Sequence, residues 1–301
     1  MLRSAVLAVT ERQLTNKVVT ETTVGRRVAK RFVAGEELAE AIAVAVALNQ
    51  AGMVVSLDHL GEHVSEIGEA ERATLSYLEC LDAISDSGVE ANISVKLSQL
   101  GMGMDDDVAA ANLERLASAA EQVGTTITVD MEESAVTDTT IDIFERSQLI
   151  HGNLGIAIQA YLHRTPADLD RLMPVAHHIR LCKGAYAEPE DIAYQSRSDV
   201  NDAFDRLATT LMHGTGAKPA IASHDDGRLQ PVLTMATSRT EPWEFQFLYG
   251  IRRDRQAELA EAGHEVRIYV PYGEAWYPYL TRRMAERPAN LTFLARALVG
   301  R

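Results

Sequence analysis

Two adjacent arginines, Arg282 and Arg283, are the residues whose types and spacing most clearly suggest chemistry. At helical spacing they share one face with Tyr279 and Glu286, in the positions i, i+3, i+4 and i+7. Two guanidinium groups side by side can grip a carboxylate or a phosphate, because each donates two parallel hydrogen bonds. Three aromatic residues in the same stretch are expected to wall a small pocket: Trp276, Tyr277 and Tyr279. The ordinary alternative is a solvated helix with an Arg283–Glu286 ion pair, which stabilises little.

Further polar residues stand where five short apolar runs end. They include two lysines, an arginine, carboxylates, an amide and a histidine, in the segments Val95-Lys96-Leu97-Ser98, Asp130-Met131-Glu132-Glu133, Gln159-Ala160-Tyr161, Arg180-Leu181-Cys182-Lys183-Gly184-Ala185-Tyr186 and Ser223-His224-Asp225. Any one of them could simply reach solvent. Five consecutive runs that end in the same way favour a shared site.

Lysines in such positions open a second chemical interpretation. Lys96 or Lys183 could serve as a Schiff-base nucleophile, since a desolvated lysine acquires the lowered pKa that an aldolase needs. A dinucleotide loop of the usual kind is not indicated, because Gly101-Met102-Gly103 leads to Asp106 where a third glycine would stand.

The apolar runs themselves predict the elements that position these residues. Eight short runs alternate with longer segments of helical period, which is typical of βα units and a parallel sheet. Most of them are interpreted as lacking polar alternation, as strands covered on both faces do. Eight units in about 250 residues favour a distorted (β/α)8 TIM barrel, with its active site at the carboxyl ends of the strands. The predicted strands are 53–57, 93–97, 126–130, 155–161, 178–182, 220–223, 245–248 and 266–270.

Helix signals divide the chain around these strands. Thr165-Pro166 predicts a cap followed by proline at the first helical position, and Asp105-Asp106-Asp107 predicts a cap before the helix at 108–123. Residues 1–50 are predicted to form an N-terminal helical arm packed on the barrel, and residues 51–301 to form the catalytic domain.

Composition excludes several classes of protein. The 301 residues are 46% hydrophobic and carry a formal net charge of −14, which repels nucleic-acid phosphates. The only two cysteines, Cys80 and Cys182, fit a reducing cytoplasm. No secretion signal is predicted, and the longest apolar run, 41–48, is far short of the roughly 18 residues of a membrane span. Any membrane contact is therefore expected to be peripheral, and no metal site is predicted.

Six motifs, taken in barrel order, resemble the proline dehydrogenases, flavoenzymes that oxidise L-proline. The resemblance covers about residues 50–295. It is carried by Val-Lys-Leu-Ser at 95–98, Asp-Met-Glu at 130–132, Gln-Ala-Tyr at 159–161, Arg-Leu-Cys-Lys-Gly-Ala-Tyr at 180–186, Ser-His-Asp at 223–225 and Trp-Tyr-Pro-Tyr-x-x-Arg-Arg at 276–283. Two departures are small, since Cys182 replaces a more usual aliphatic residue and Ser223 a more usual threonine.

The resemblance implies roles for individual residues. Arg180 would lie near N5 of a noncovalent FAD, where its charge favours the anionic reduced flavin, and Asp130 with Arg180 would be catalytic. Further FAD-binding positions are Met131, Gln159, Lys183, Gly184, Ala185, Ser223, His224 and Glu286. The proline pocket would be lined by Lys96, Asp130, Tyr269, Tyr279, Arg282, Arg283 and Leu248.

The implied reaction is the first step of proline breakdown to glutamate. L-Proline would become Δ1-pyrroline-5-carboxylate by hydride transfer to FAD N5, and the electrons would pass to a membrane quinone at the inner face of the membrane. Because 301 residues leave no room for an aldehyde dehydrogenase domain, a separate pyrroline-5-carboxylate dehydrogenase is the expected partner. Two alternatives stay open: the Schiff-base aldolase, and a non-catalytic barrel that binds a carboxylate.

Overall fold

Eight parallel strands form a closed barrel in the order β1 to β8, which confirms the predicted fold class. The computed structural model describes residues 29–61 and 64–286, and side chains as far as Thr281. Each strand end lies within two residues of its predicted position. The strands are β1 (Val54–His59), β2 (Ala91–Val95), β3 (Ile127–Val129), β4 (Leu154–Gln159), β5 (His178–Cys182), β6 (Lys218–Ala222), β7 (Glu244–Leu248) and β8 (Val266–Tyr272).

Helices alternate with the strands along the chain. They are α1 (Leu38–Gln50), α2 (Ile67–Ser87), α3 (Asp106–Val123), α4 (Thr137–His151), α5 (Thr165–Leu172), α6 (Arg197–His213), α7 (Asp226–Ala236), α8 (Arg253–Glu261) and α9 (Trp276–Glu286). Two single-turn 3₁₀ helices, Leu97–Leu100 and Ser134–Val136, follow β2 and β3.

Two helix starts test the predicted caps. The Asp105 carboxylate accepts hydrogen bonds from the backbone N–H groups of Asp107 and Val108, so it caps α3 as predicted. The cap predicted at Thr165 is wrong by one residue, because Arg164 precedes the first helical residue. The Thr165 hydroxyl donates instead to the carbonyl oxygen of Gln159, at 2.5 Å, and so ties α5 to the end of β4.

The strands do alternate, and the interpretation that most of them lack polar alternation is wrong. Their outward-facing residues are apolar and join the helices in one core, for example Ile93, Ile127, Ile179, Phe245 and Ile268. The residues between them are polar or small and point into the barrel. Ser56 on β1 contacts Arg180 on the opposite strand β5, a contact that crosses the interior. Polar groups therefore fill this barrel where branched apolar side chains are usual.

Helix α1 packs on the outside of both β1 and β8. Its buried residues Ala41 and Ala45 belong to the same core as the strands. The helix that follows β8, α9, packs instead against Phe32, Val33 and Leu60. The last helix is consequently free to approach the mouth of the barrel, which is the distortion that the fold class implies.

Candidate functional site

A cavity of about 680 Å³ opens at the carboxyl ends of the strands. It brings together residues predicted from distant parts of the sequence. The predicted residues that line it are Lys96, Asp130, Met131, Gln159, Arg180, Lys183, Gly184, Ala185, Ser223, His224, Leu248, Tyr269 and Tyr279. Arg282, Arg283 and Glu286 follow on helix α9, and their side chains lie outside the described residues.

Arg180 lies at the floor of this cavity and is almost fully buried. Its guanidinium forms an ion pair with Asp130 and donates to the Ser94 hydroxyl at 2.9 Å. Its Nε donates to Oε1 of Gln246 at 2.5 Å, and its carbon lies 5.2 Å from the centre of the Tyr269 ring. Groups from several strands thus hold one cation in a fixed position.

Asp130 joins Arg180 to a second cation, Lys96. The Lys96 Nζ lies 3.5 Å from Asp130 and 3.3 Å from Asp58. The other hydrogen bonds to Asp130 come from the hydroxyls of Ser94, at 2.8 Å, and Tyr269, at 2.9 Å. Burial alone would raise the pKa of Asp130, but the charges of Arg180 and Lys96 and these hydrogen bonds hold it below its usual value. The two carboxylates and two cations make a cluster with no net charge.

The loop after β5 is shaped by the end of β4. Gln159 donates to the carbonyl oxygen of Glu132, at 2.8 Å, and accepts from the backbone N–H of Ala185, at 3.0 Å. Gly184 has a φ of 133°, a conformation that residues with a side chain rarely adopt. A Cβ at Gly184 would also collide with the Tyr161 ring. Glycine is therefore required for the loop to follow this path beside the cavity.

One side of the cavity carries a second group of charges. Lys183 Nζ lies 2.8 Å from Asp225 and 2.6 Å from the side-chain oxygen of Asn201. The hydrogen bond from Lys183 is the main reason that the pKa of Asp225 is lowered. Next to it, Nε2 of His224 accepts from the backbone N–H of Leu248 at 3.0 Å, which fixes the ring.

Of the three aromatic residues predicted to wall the pocket, only Tyr279 lines the main cavity. Tyr277 packs into the apolar cluster formed by residues 29–33, Leu60 and α9. Trp276 is in the same cluster and donates from its indole nitrogen to Glu36 at 3.0 Å. The prediction for Trp276 and Tyr277 is wrong because α9 turns these two residues toward the N-terminal segment.

Sequence reasoning missed several residues of the site. Asp58 was overlooked because the predicted first strand ended at 57, one residue too early to place a carboxylate at its end. Ser94 and Gln246 lie inside strands, and only a strict reading of alternation in Asn-Ile-Ser and Glu-Phe-Gln would have turned them inward.

Among the described residues, no group of histidines, cysteines and carboxylates is arranged to hold a metal ion. In the same part of the chain, no helix has both the length and the apolar character to cross a bilayer.

Comparisons with known proteins agree with this architecture. The family model described as proline dehydrogenase matches residues 41–296. Proline dehydrogenase 1 of Bacillus subtilis subsp. natto is 33% identical over 274 residues, which are 90% of each chain. The proline dehydrogenase of Deinococcus radiodurans is 33% identical over 307 residues, 99% of this chain and 98% of that protein.

Solved structures show the same fold. Proline utilization A (PutA) from Bdellovibrio bacteriovorus, inactivated by N-propargylglycine, matches with a TM-score of 0.82 and 24% identity over 90% of this chain. That match covers 34% of the PutA chain, so the barrel corresponds to about a third of the larger protein. With a family model over most of its length and full-length relatives at 33% identity, this chain belongs to the proline dehydrogenase family.

Proposed function

We propose that this protein oxidises L-proline to Δ1-pyrroline-5-carboxylate, using FAD bound in the cavity at the barrel mouth. The observation that carries the proposal is the buried, fully partnered Arg180 at the cavity floor, next to the neutral cluster of Asp58, Lys96, Asp130 and Arg180. Membership of the family implies a flavin, and the curated relatives are named for the oxidation of proline.

The residues around the cavity suit a flavin nucleotide. The volume of 680 Å³ lies within the range of about 300–1,000 Å³ that is usual for small-molecule sites. Lys183 and Arg197 offer positive charge at one side for phosphates, and Gln159, Ser223 and His224 offer polar atoms along the wall. The carbon chains of Met131, Leu248 and Ala157 supply apolar surface. A flavin bound there would supply the acceptor for the hydride that leaves proline.

Arg282 and Arg283 are proposed to bind the substrate carboxylate. They follow Tyr279 by one helical turn on α9, and Tyr279 itself lines the cavity. Leu248, Tyr269 and Tyr279 would enclose the apolar ring of proline. Holding the carboxylate on two guanidiniums would fix the position of the reacting carbon, which is where much of the rate enhancement of such a reaction arises.

Asp130 is proposed to position other groups rather than to accept a proton. A carboxylate has about four acceptor positions. Those of Asp130 face Arg180, Ser94, Tyr269 and Lys96. With both oxygens engaged and its pKa lowered, Asp130 stays ionised and orients Lys96 and the Tyr269 hydroxyl toward the substrate.

The aldolase alternative requires a lysine that readily loses its proton. Lys96 lies between two carboxylates, and Lys183 is paired with Asp225. These contacts stabilise the charged ammonium form, which is the opposite of what a Schiff-base nucleophile needs. The geometry therefore favours electrostatic and binding roles for both lysines.

The deciding experiment is an absorbance spectrum of the purified, flavin-loaded protein during anaerobic addition of L-proline. The flavin band at about 450 nm should bleach as the cofactor is reduced. A protein that binds proline without bleaching would be a non-catalytic carboxylate-binding barrel. A protein that binds no flavin and is trapped by borohydride with a carbonyl substrate would be an aldolase.

The carboxylate role is tested separately by Arg282→Met. This variant should keep its flavin band, while the KM for proline rises by about 100-fold, because a bidentate charged contact is lost. Arg146→Met is the matched control, since Arg146 is half exposed and its ion pair with Asp107 lies away from the cavity. An unchanged KM in Arg282→Met would refute the carboxylate clamp.

We further propose a membrane quinone as the electron acceptor and a separate pyrroline-5-carboxylate dehydrogenase as the enzyme that takes the product. A cytoplasmic location with peripheral contact at the inner face of the membrane belongs to the same proposal. The two cysteines support a reducing compartment, because both are free and burial raises the pKa of Cys80 to about 12.

A further inference from the structure

A line of buried polar contacts runs from Arg180 toward the other end of the barrel. The Nε of Arg180 donates to Oε1 of Gln246 at 2.5 Å. The amide nitrogen of Gln246 donates in turn to Oε1 of Glu244, also at 2.5 Å. Gln246 is 3% exposed and Glu244 is 2% exposed, so neither contact competes with bulk water. None of the sequence motifs that suggested the site includes either residue.

The carboxylate of Glu244 is kept ionised by two cations. Lys218 Nζ lies 2.9 Å from it, and Arg267 donates from Nε at 2.8 Å and from Nη2 at 3.1 Å. Although burial by itself would raise the pKa of Glu244, the charge of Arg267 and its hydrogen bonds hold it well below the usual value. Arg267 is itself fixed by the carbonyl oxygen of Val55 at 2.9 Å.

An ionised carboxylate can only accept hydrogen bonds. Glu244 therefore requires the NH₂ group of Gln246 to face it, and the carbonyl oxygen of the same amide must then face Arg180. If the Gln246 amide turned over, a donor would meet the Nε donor of Arg180 and an acceptor would meet Glu244. Both contacts would be lost at once in a place that water does not reach.

We propose that Gln246 and Glu244 are positioning residues for Arg180: the charge of Glu244 orients the Gln246 amide, and that amide sets the rotation of the guanidinium at the cavity floor. The inference rests on the proposed function, in which Arg180 faces the flavin. Asp130 and Ser94 fix the Nη1 side of the guanidinium, whereas Gln246 fixes the Nε side. Two opposed points of attachment are what prevents the group from pivoting.

The first test observes Arg180 directly in the flavin-loaded protein by NMR with ¹⁵N-labelled arginine. The Nε–H resonance of Arg180 is assigned by its loss in Arg180→Lys. In Gln246→Met, which keeps the length of the side chain but has no acceptor, that Nε–H should shift and exchange with solvent at least about 10-fold faster. Turnover of proline should fall by about 10- to 100-fold with little change in KM, because a misplaced group costs rate more than binding.

Gln246→Glu is the rescue variant. A new carboxyl next to Glu244 keeps its proton, donates that proton to Glu244 and offers its carbonyl oxygen to Arg180, so both contacts of the amide are restored. The Nε–H resonance and the turnover should return toward those of the wild type. Thr128→Val is the matched control, because Thr128 is buried in the same barrel interior and hydrogen-bonds His178 and Asn92. It should lower the thermal midpoint and leave the Arg180 resonance unchanged.

An unchanged Nε–H in Gln246→Met, or a changed Nε–H with wild-type turnover, would overturn the proposal. Equal losses in Gln246→Met and Gln246→Glu would also overturn it, since they would point to a general effect on packing. A wild-type protein that does not oxidise proline would refute the proposed function alone, because the resonance of Arg180 reports on its position without any turnover.

Discussion

Asp130→Asn should destabilise the protein and should do so less in acid. The substitution keeps the shape of the side chain and removes one negative charge from a cluster that has no net charge. Lys96 and Arg180 would then share only the charge of Asp58, which lies 3.3 Å from Lys96. The side chain of Asp130 is 13% exposed, so solvent replaces little of the lost interaction.

The expected magnitude follows from the contacts that remain. Removing one partner of a buried ion pair typically costs about 3–5 kcal/mol. Here Lys96 keeps Asp58, Arg180 keeps Gln246 and Ser94, and the asparagine oxygen still accepts from Arg180. We therefore expect a loss of about 2–3 kcal/mol in the free energy of unfolding at pH 7. Turnover should fall by about 100-fold, since the cation pair would shift.

The pH dependence has a definite sign. Because the pKa of Asp130 in the folded protein lies below its usual value of 3.8, its contribution to stability is complete above that value and is lost as the pH falls through the folded pKa. Urea unfolding followed by circular dichroism, with flavin in equal excess, should thus show a difference between wild type and variant that is constant near neutrality and shrinks below pH 4.

Asp138→Asn is the control for this experiment. Asp138 is also paired with an arginine, Arg164, but its side chain is 77% exposed. Loss of such a surface pair should cost less than about 1 kcal/mol. If Asp130→Asn costs no more than this control, or if its cost does not shrink in acid, the neutral cluster does not contribute as described.

Two further predictions concern the loop and the interior of the barrel. Gly184→Ala should weaken flavin retention, measured by fluorescence after dilution, because alanine is strained at a φ of 133° and its Cβ meets Tyr161; full retention would contradict the account of the loop. His178 is buried, and burial holds its pKa well below 6.5, so it stays neutral in the folded protein while the unfolded chain takes up a proton. Stability should therefore be complete above pH 6.5 and should fall by up to about 1.4 kcal/mol per pH unit below it, from this group alone. His178→Gln should reduce that slope, although His59 and His177, whose pKa values are also lowered, will keep part of it; an identical slope would show that His178 is not the source.

The barrel was predictable because each strand is a short, local signal between helix caps. The outward residues of every strand are apolar, and residues such as Asp105 mark where a helix begins. Strand ends were less certain, since a polar residue at a barrel mouth looks the same whether it ends the strand or continues it. Asp58 was missed for this reason.

The polar interior was not predictable from local pattern. Arg180 contacts Ser56, which is 124 residues away, and Gln246, which is 66 residues away. A polar residue inside a strand looks solvent-facing unless its partner is known, and here each partner lies on another strand. The cavity residues that were predicted correctly were found through motifs at strand ends, whereas their supports were not.

The position of α1 has a consequence for the order in which the chain folds during synthesis. Helix α1 precedes β1 and packs on both β1 and β8, the first and last strands of the barrel. Its contact with β1 is local and can form as soon as about 60 residues have left the ribosome, whereas β8 follows more than 200 residues later. The nascent chain therefore carries a prepared seat for the last strand, and closure of the barrel is a long-range event that waits for β8. Circular permutation that moves α1 to the C-terminus would make that seat local to β8 and is expected to change the folding rate more than the stability.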